Sequence, residues 1–576
     1  MKRICTAGGL AMATVSASVA AALALHCSLM TDFDKPLVIP DSSVTICDDD
    51  EDCWSGVRPQ DDCDVCDSDS RMCTPEGTDA DMDGWWVCER AIGLGTADCD
   101  DGEARVFPGN PEIGTPDLLD NDCNGIIDDG RLAASGTAPV LIYKDPTGCS
   151  TPCLWSNPVA RYEPATDRIA VIWESDESDT GPVENMIRVA SFNVSGTSLL
   201  SDQYLMYAGA GEEHNLMEPW ITGTISPAPS LAAVWIDLLG GRLLGVHGFD
   251  MCTDTGDSEC ILRPLPTWPT TAEEAIVRAV VSDPAEPVIA SRSDAAQMAI
   301  AWTGVPSGST AGDVFFARFE HSGSWIHDTS IGTSGIVDVS QSPADDETGR
   351  PALAMAGAGL VVAWVSPGQD EIRLVYLAGS GLEPAPSGIV SLSPPGIAGG
   401  MRDPVLVASD ARPDTALVYL LYCANPAGQS TAEVWAMSVD LDILDTVASD
   451  YSDAFGAPLQ VSESPGAISI DVAASWTSES SLDAIGVAWN DRRGGLNHVY
   501  FRRIAALESS PETSGVLASD EMDLSDDGTA PGVYGQGPTV AGWGSVHEYA
   551  VVWWQRRNEV DAETGDLYMR LVEPVD

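Results

Sequence analysis

The stretch that decides the fold is Pro287-Val288-Ile289-Ala290, followed after a short turn by Ala299-Ile300-Ala301-Trp302 and then by Val314-Phe315-Phe316-Ala317-Arg318-Phe319. Each run is short, apolar and rich in β-branched or aromatic residues, and Gly, Pro, Asp and Ser separate the runs, so the stretch reads as antiparallel strands joined by turns. The same phrase recurs. Pro158-Val159-Ala160 leads to a strand ending at Trp173, Pro219-Trp220-Ile221 to Trp235, Pro351-Ala352-Leu353-Ala354 to Trp364, and Pro404-Val405-Leu406-Val407 to Leu417-Val418-Tyr419. Val472-Ala473 leads to Trp489, and Pro538-Thr539-Val540-Ala541 to Trp553.

Seven copies separated by about 63 residues between Trp173 and Trp553 give units long enough for a four-stranded blade. The expected fold is all-β: a seven-bladed β-propeller spanning 132–576. Two packed sandwiches also supply strands and turns, but they do not call for one phrase seven times. Only five residues follow the last clear strand, Leu567 to Leu571, so the seventh blade needs a strand from elsewhere. Val140-Leu141-Ile142-Tyr143 is the candidate that closes the ring. The repeated Trp is expected to pack as the core of each wedge.

Ahead of the repeats the chain changes character. Lys2 and Arg3 precede an apolar, small-residue run from Gly8 to Leu25, which reads as a signal peptide over 1–26. Residues 27–46 read as a linker. Cys27, just past the run, is a lipidation candidate, with His26 where an acceptor motif wants a small residue. The expected location is secreted or cell-surface, with an outer-membrane lipoprotein as one form, and membrane contact only through such an anchor.

Charge is the second signal. The chain of 576 residues carries 88 acidic against 28 basic residues, a formal net charge of -60. A field of that sign repels a phosphate backbone and argues against a nucleic-acid partner. Residues 31 to 130 hold 28 of the acids and 8 of the 15 cysteines. That segment, 47–131, is expected to be a small Cys-rich, Asp-rich module with little regular secondary structure. Its cysteines Cys47, Cys53, Cys63, Cys66, Cys73, Cys88, Cys99 and Cys123 form an even set consistent with disulfides, as do Cys149 with Cys153 and Cys252 with Cys260 in the β region. Zinc on Cys63, Cys66 and Cys73 is the rival use. Cys423, within an apolar run, reads as a buried small hydrophobe.

Asp79-Ala80-Asp81-Met82-Asp83-Gly84-Trp85 sets carboxylates at alternate positions before a glycine, the spacing by which a tight turn gathers hard oxygens around Ca²⁺. Trp85 offers its carbonyl. Asp120-Asn121-Asp122-Cys123-Asn124-Gly125-Ile126 repeats the pattern, with Asp120, Asp122, Asn124, Ile126, Asp128 and Asp129 as candidate ligands. Position 12 of the two loops is Arg90 and Arg131, so neither is a complete EF-hand, and Asp98, Asp100 and Asp101 are the nearest supply of missing ligands.

The ordered run from Asp79 to Asp129, with Asp98-Cys99-Asp100-Asp101-Gly102, Val106-Phe107-Pro108-Gly109, Pro111-Glu112-Ile113 and Leu119-Asp120-Asn121-Asp122-Cys123-Asn124-Gly125, resembles the metal-binding repeat of exported bacterial proteins. That MopE-like family includes a copper-binding surface protein of methane-oxidising bacteria. Gly114 stands where the family usually has a cysteine and Trp86 where glycine is common, so neither the family's disulfide at Cys123 nor a copper ligand set transfers. The repeats are distantly similar to those of extracellular propellers, sialidase-like ones among them, without a Ser-x-Asp-x-Gly-x-Thr-Trp turn.

No His-Glu-x-x-His motif or other catalytic constellation stands out among the seven histidines. The functional expectation is an exported or cell-surface calcium-binding protein whose propeller binds an extracellular protein or glycan. The alternative is a secreted polysaccharide-active hydrolase or lyase, to be favoured if three or more acid, Arg, His or Tyr side chains converge at the channel mouth.

Overall fold

A computed structural model describes most strand residues from 156 to 574, the strand Val140–Lys144, the short strands Asp64–Asp67, Met72–Pro75 and Leu132–Ala134, and Val106. Contacts divide the chain into two units, 1–110 with 120–125, and 111–119 with 126–576. In the first, the described strands Asp64–Asp67 and Met72–Pro75 form an antiparallel hairpin.

The second unit holds seven antiparallel sheets in chain order. Their innermost strands are Ser156–Glu163, Leu216–Thr224, Val281–Arg292, Ala352–Ala356, Ile397–Ala408, Ser469–Glu479 and Tyr534–Trp543. Each packs against the innermost strand of the next sheet, and the seventh packs against the first. The ring is closed, and the protein is a seven-bladed β-propeller. Closure also matches the expectation for the chain ends: Val140–Lys144 pairs with the last strand, Gly565–Pro574, with Leu141 opposite Tyr568. Leu132–Ala134 extends the same pairing at Pro574 to Val572.

The core is divided in the same way. Seven apolar clusters fill the seven gaps between neighbouring blades, among them Val159, Ile172 and Ala233 between the first and second, and Ala541, Val552 and Ile169 between the seventh and first. Trp173, Trp235, Trp302, Trp364, Trp489 and Trp553 are fully buried, each on the second strand of its blade. Burying a side chain of that size contributes about 2–3 kcal/mol. Three of them stack on the residue opposite them on the third strand: Trp302 on Phe315, Trp489 on Tyr500 and Trp553 on Tyr568, with centroids 6.0, 6.0 and 6.3 Å apart. In the fifth blade the equivalent register position is Tyr422, opposite Trp435, so the aromatic pair is inverted there. Blades six and seven approach so closely that a Cβ at Gly486 would collide with the Tyr549 ring.

A second repeated device joins third and fourth strands. In blade three, Ser340 Oγ accepts the N–H of Val314 (3.1 Å) and donates to Asp313 (3.0 Å). In blade five Ser462 accepts from Val434 and donates to Glu433, and in blade six Ser525 accepts from Val499. His498 takes the acid's place in blade six, its Nδ1 2.8 Å from Asp523. These hydroxyl clasps satisfy buried backbone donors at the outer edge, where leaving one unpaired costs about 1–3 kcal/mol.

Candidate channel-mouth site

The innermost strands surround a channel of about 650 Å³. Its throat is built from the small and apolar residues of the Pro-Val phrases, including Val159, Ile289, Leu353, Leu406 and Val540. One end differs sharply. There the strand pairing shifts register at Asn157, Glu218, Glu286, Arg402–Asp403, Asp471 and Gly537, just before a proline in five of these blades and before Val472 in the sixth blade. At these bulges the backbone crosses into the left-handed region: φ is 55° at Asn157, 55° at Glu218, 50° at Glu286, 52° at Asp403, 52° at Asp471 and 54° at Gly537. In the fourth blade Gly349 takes φ 94° and Arg350 precedes the proline.

A glutamate or aspartate at positive φ costs about 1 kcal/mol or more, and a following proline disfavours helical backbone further. The strain recurs because a bulge bends the strand and redirects the side chain ahead of it. The result is a rim with one residue from each blade: Asn157, Glu218, Glu286, Arg350, Asp403, Asp471 and Gly537, all lining the channel.

Rim carboxyls also tie neighbouring blades together. Glu218 Oε2 accepts the backbone N–H of Glu286 at 2.5 Å, and Asp403 accepts that of Asp471. Asn490 Nδ2 donates to Asp471 at 2.9 Å, so the end of the strand Leu482–Asp491 anchors the rim. Arg402 Nε lies 3.7 Å from Asp403. Arg350 reaches from blade four to blade two, its Cζ 5.1 Å from the centroid of the Trp220 ring.

Burial pushes the Glu286 carboxyl up from the usual range. Arg350 opposes that rise, while Glu218 and Asp403 reinforce it. Burial and the Asp471 charge likewise raise Asp403, against Arg402 and Arg350. Glu286 Oε2 is buried and, among the described residues, has no hydrogen-bond partner. Chemically this is a mouth with two carboxyls, Glu286 and Asp403, raised above the usual range, other carboxyl groups near them, and a cation over an aromatic face.

Several expectations are corrected. Among the described residues no group of three or more His, Cys, Asp or Glu is placed to hold a metal ion, which overturns the Ca²⁺ assignment. The described acids of the mouth come from separate blades and are interleaved with Arg350 and Arg402, which compete for their charge. The candidate ligands Asp79, Asp81, Asp83, Trp85, Asp98, Asp100, Asp101, Asp120, Asp122, Asn124, Ile126, Asp128 and Asp129 lie outside the described residues.

The disulfide expectation is corrected too. Cys66 and Cys73 face each other in the hairpin register, yet among the described residues no two Sγ atoms stand at bonding distance. An even cysteine count permits pairing, whereas the bond itself requires sulfurs about 2 Å apart at a fixed dihedral. Cys47, Cys53, Cys63, Cys88, Cys99, Cys123, Cys149, Cys153, Cys252, Cys260 and the lipidation candidate Cys27 lie outside the described residues, as does the signal peptide. Cys423 is a buried free thiol in blade five, as expected, with its pKa pushed well up by burial. Among the described residues no helix is long and apolar enough to cross a membrane.

The rim itself was missed. Its signal lay one residue ahead of the quoted phrase, in Asn-Pro, Glu-Pro, Glu-Pro, Arg-Pro and Asp-Pro. The clasps had one as well, in Asp338-Val339-Ser340, Gln460-Val461-Ser462 and Asp523-Leu524-Ser525.

Residues 98–129 match the family Cu-binding_MopE, described as "Putative metal-binding motif". No curated protein matches the chain in sequence. Among solved structures, the NanB sialidase from Streptococcus pneumoniae is similar at 10% identity and a TM-score of 0.39, over 76% of this chain and 70% of that one. An acylaminoacyl peptidase from Pyrococcus horikoshii is similar at 8% and 0.34, over 75% and 54%. The Dos1 propeller is similar at 10% and 0.34, over 75% and 94%.

Proposed function

We propose that this protein is an exported or surface-attached propeller that binds a glycan at the charged mouth of its channel and cleaves it there, as a hydrolase or lyase. The observation that carries this reading is convergence: Glu218, Glu286, Arg350, Asp403 and Asp471, from five blades, line one end of one channel. Glu218, Glu286, Asp403 and Asp471 sit at bulges with positive φ, and Arg350 follows Gly349 at φ 94°, strain that a purely structural ring has no reason to repeat. Polyhydroxylated ligands suit such a mouth, because carboxylates and guanidinium groups hydrogen-bond paired hydroxyls while Trp220 offers an apolar face.

Glu286 is the candidate proton donor, since its carboxyl is raised by burial and by Glu218 and Asp403. Glu218, which holds the Glu286 backbone, is a candidate base. Two carboxyls, one as acid and one as base, are what acid–base cleavage of a glycosidic bond needs. The protein would meet its substrate outside the cell, free or held by lipid on Cys27, and its net charge of -60 disfavours nucleic acid as an alternative ligand.

The test is a panel of neutral, acidic and basic polysaccharides, with binding measured by calorimetry and cleavage by release of reducing ends. Glu286→Gln is expected to lower turnover at least a hundredfold while leaving binding in place. Binding without turnover in the wild-type chain supports the second reading, a pure binding module, which the interlocked rim hydrogen bonds also favour.

A further inference from the structure

We infer that the channel mouth recognises an organic cation, the protonated amine of an amino sugar, and that Arg350 holds the place of that cation when no ligand is bound. This rests on the glycan reading above and adds the charge of the substrate. The pointer is an internal occupant. Arg350 leaves blade four, passes blade three and comes to lie 5.1 Å from the centroid of Trp220 in blade two. A cation above an indole face is an attraction of about 0.5–2 kcal/mol, and the face does not distinguish a guanidinium from an ammonium.

The surroundings of Arg350 are mostly acidic, with Arg402 beside Asp403 as the other cation of the mouth. Glu286 and Asp403 both feel the Arg350 charge, and Glu218 adds to the like-charge field around Glu286. Arg350 is incompletely paired for a guanidinium in such company. Among the described residues its Nε has no hydrogen-bond partner, in contrast to the planar fork that arginine forms in a fixed ion pair. Glu286 Oε2 is buried and without a partner in the same mouth. A primary ammonium brings three donors on a compact head and satisfies that oxygen while taking over the Trp220 face. Rotation of Arg350 away from the ring then exchanges one cation for another, with no net charge stranded in the channel.

The sign of one substitution decides the matter. Calorimetry on the full chain would compare an oligomer of glucosamine, its N-acetylated counterpart and an oligogalacturonate, below the pKa of the amine. Arg350→Gln removes the competing cation and is expected to tighten the glucosamine oligomer about tenfold, leaving the acetylated oligomer unchanged. Trp220→Phe keeps an aromatic face with a weaker quadrupole and is expected to weaken the same ligand about threefold, with circular dichroism checking the fold. Weaker binding of the glucosamine oligomer in Arg350→Gln, or equal binding of acetylated and free-amine oligomers to the wild type, overturns the inference. A galacturonate oligomer that binds the wild type and is lost in Arg350→Gln makes Arg350 an anion contact, so the inference falls while the glycan reading stands. Absence of binding by all three oligomers overturns both.

Discussion

The wedges between blades and the rim of the channel are built from the same seven repeats, and they have diverged in opposite ways. In the wedges the side chains agree, with Trp at six of seven equivalent positions and Tyr422 at the seventh, while the backbone is regular. On the rim the backbone agrees in six blades, bulged and at positive φ, with Gly349 carrying the positive φ beside Arg350 in the fourth, while the residues run from Asn and Glu through Arg to Asp and Gly. Packing demands one shape seven times, because each wedge must fill the same angle. An opening onto solvent demands nothing of the kind, so there the repeats are free to differ and can assemble an asymmetric, charged surface from a symmetric frame.

That contrast breaks most visibly at the wedges. Trp489→Ala is expected to cost about 3–5 kcal/mol, read as a fall in the urea midpoint, because its stack on Tyr500 and the packing between blades five and six disappear together. Ser340→Ala is expected to cost about 1–3 kcal/mol by orphaning the Val314 N–H and removing the donor to Asp313. A loss equal to that of the tryptophan would mean that the clasps, not the wedges, carry the ring.

A smaller effect depends on pH. Burial and the neighbouring Asp338 push Asp313 up from 3.8 to about 6, against a hydrogen bond from Ser340. The folded protein therefore holds this proton more tightly than the unfolded chain. Stability from this group is present below about pH 4 and is lost as pH rises through about 6. Asp313→Asn is expected to raise the melting temperature by a few degrees at pH 7 and to leave it unchanged at pH 4. Asp403→Asn is expected to act in the same direction on the rim, more weakly, since Arg402 and Arg350 already oppose the rise of Asp403. A destabilised Asn variant at pH 7 would show that the rim needs its charges for folding, and would erase the distinction between the two regions.

The fold was legible because its physics is repetitive. A buried Trp after an apolar run recurs every time a wedge is filled, and a missing last strand must be supplied by the N-terminal side, where Val140–Lys144 stands. Tyr422 escaped notice because the fifth repeat exchanges its aromatic partners across the ladder, leaving Trp435 on the wrong strand for the phrase. The rim was illegible for the converse reason. Glu218, Glu286, Arg350, Asp403 and Asp471 share no identity, and only ring closure brings them to one mouth. The aspartate loops taught the opposite lesson, since residue spacing alone suggested a metal cage and an even set of cysteines suggested bridges, whereas the described residues contain neither.

Pairing Tyr568 with Leu141 makes the outermost ladder of blade seven a contact between residues more than four hundred positions apart. No folding intermediate in which the strand Gly565–Pro574 is still unpaired can own that ladder. Closure of the circle must then wait for that strand: two of the seven wedges take residues from it, so five are able to form beforehand and two stay incomplete. The ladder is thus the latch of the circle: a blade built from strands on both sides of the repeat array holds the ring shut only once its last strand is in place.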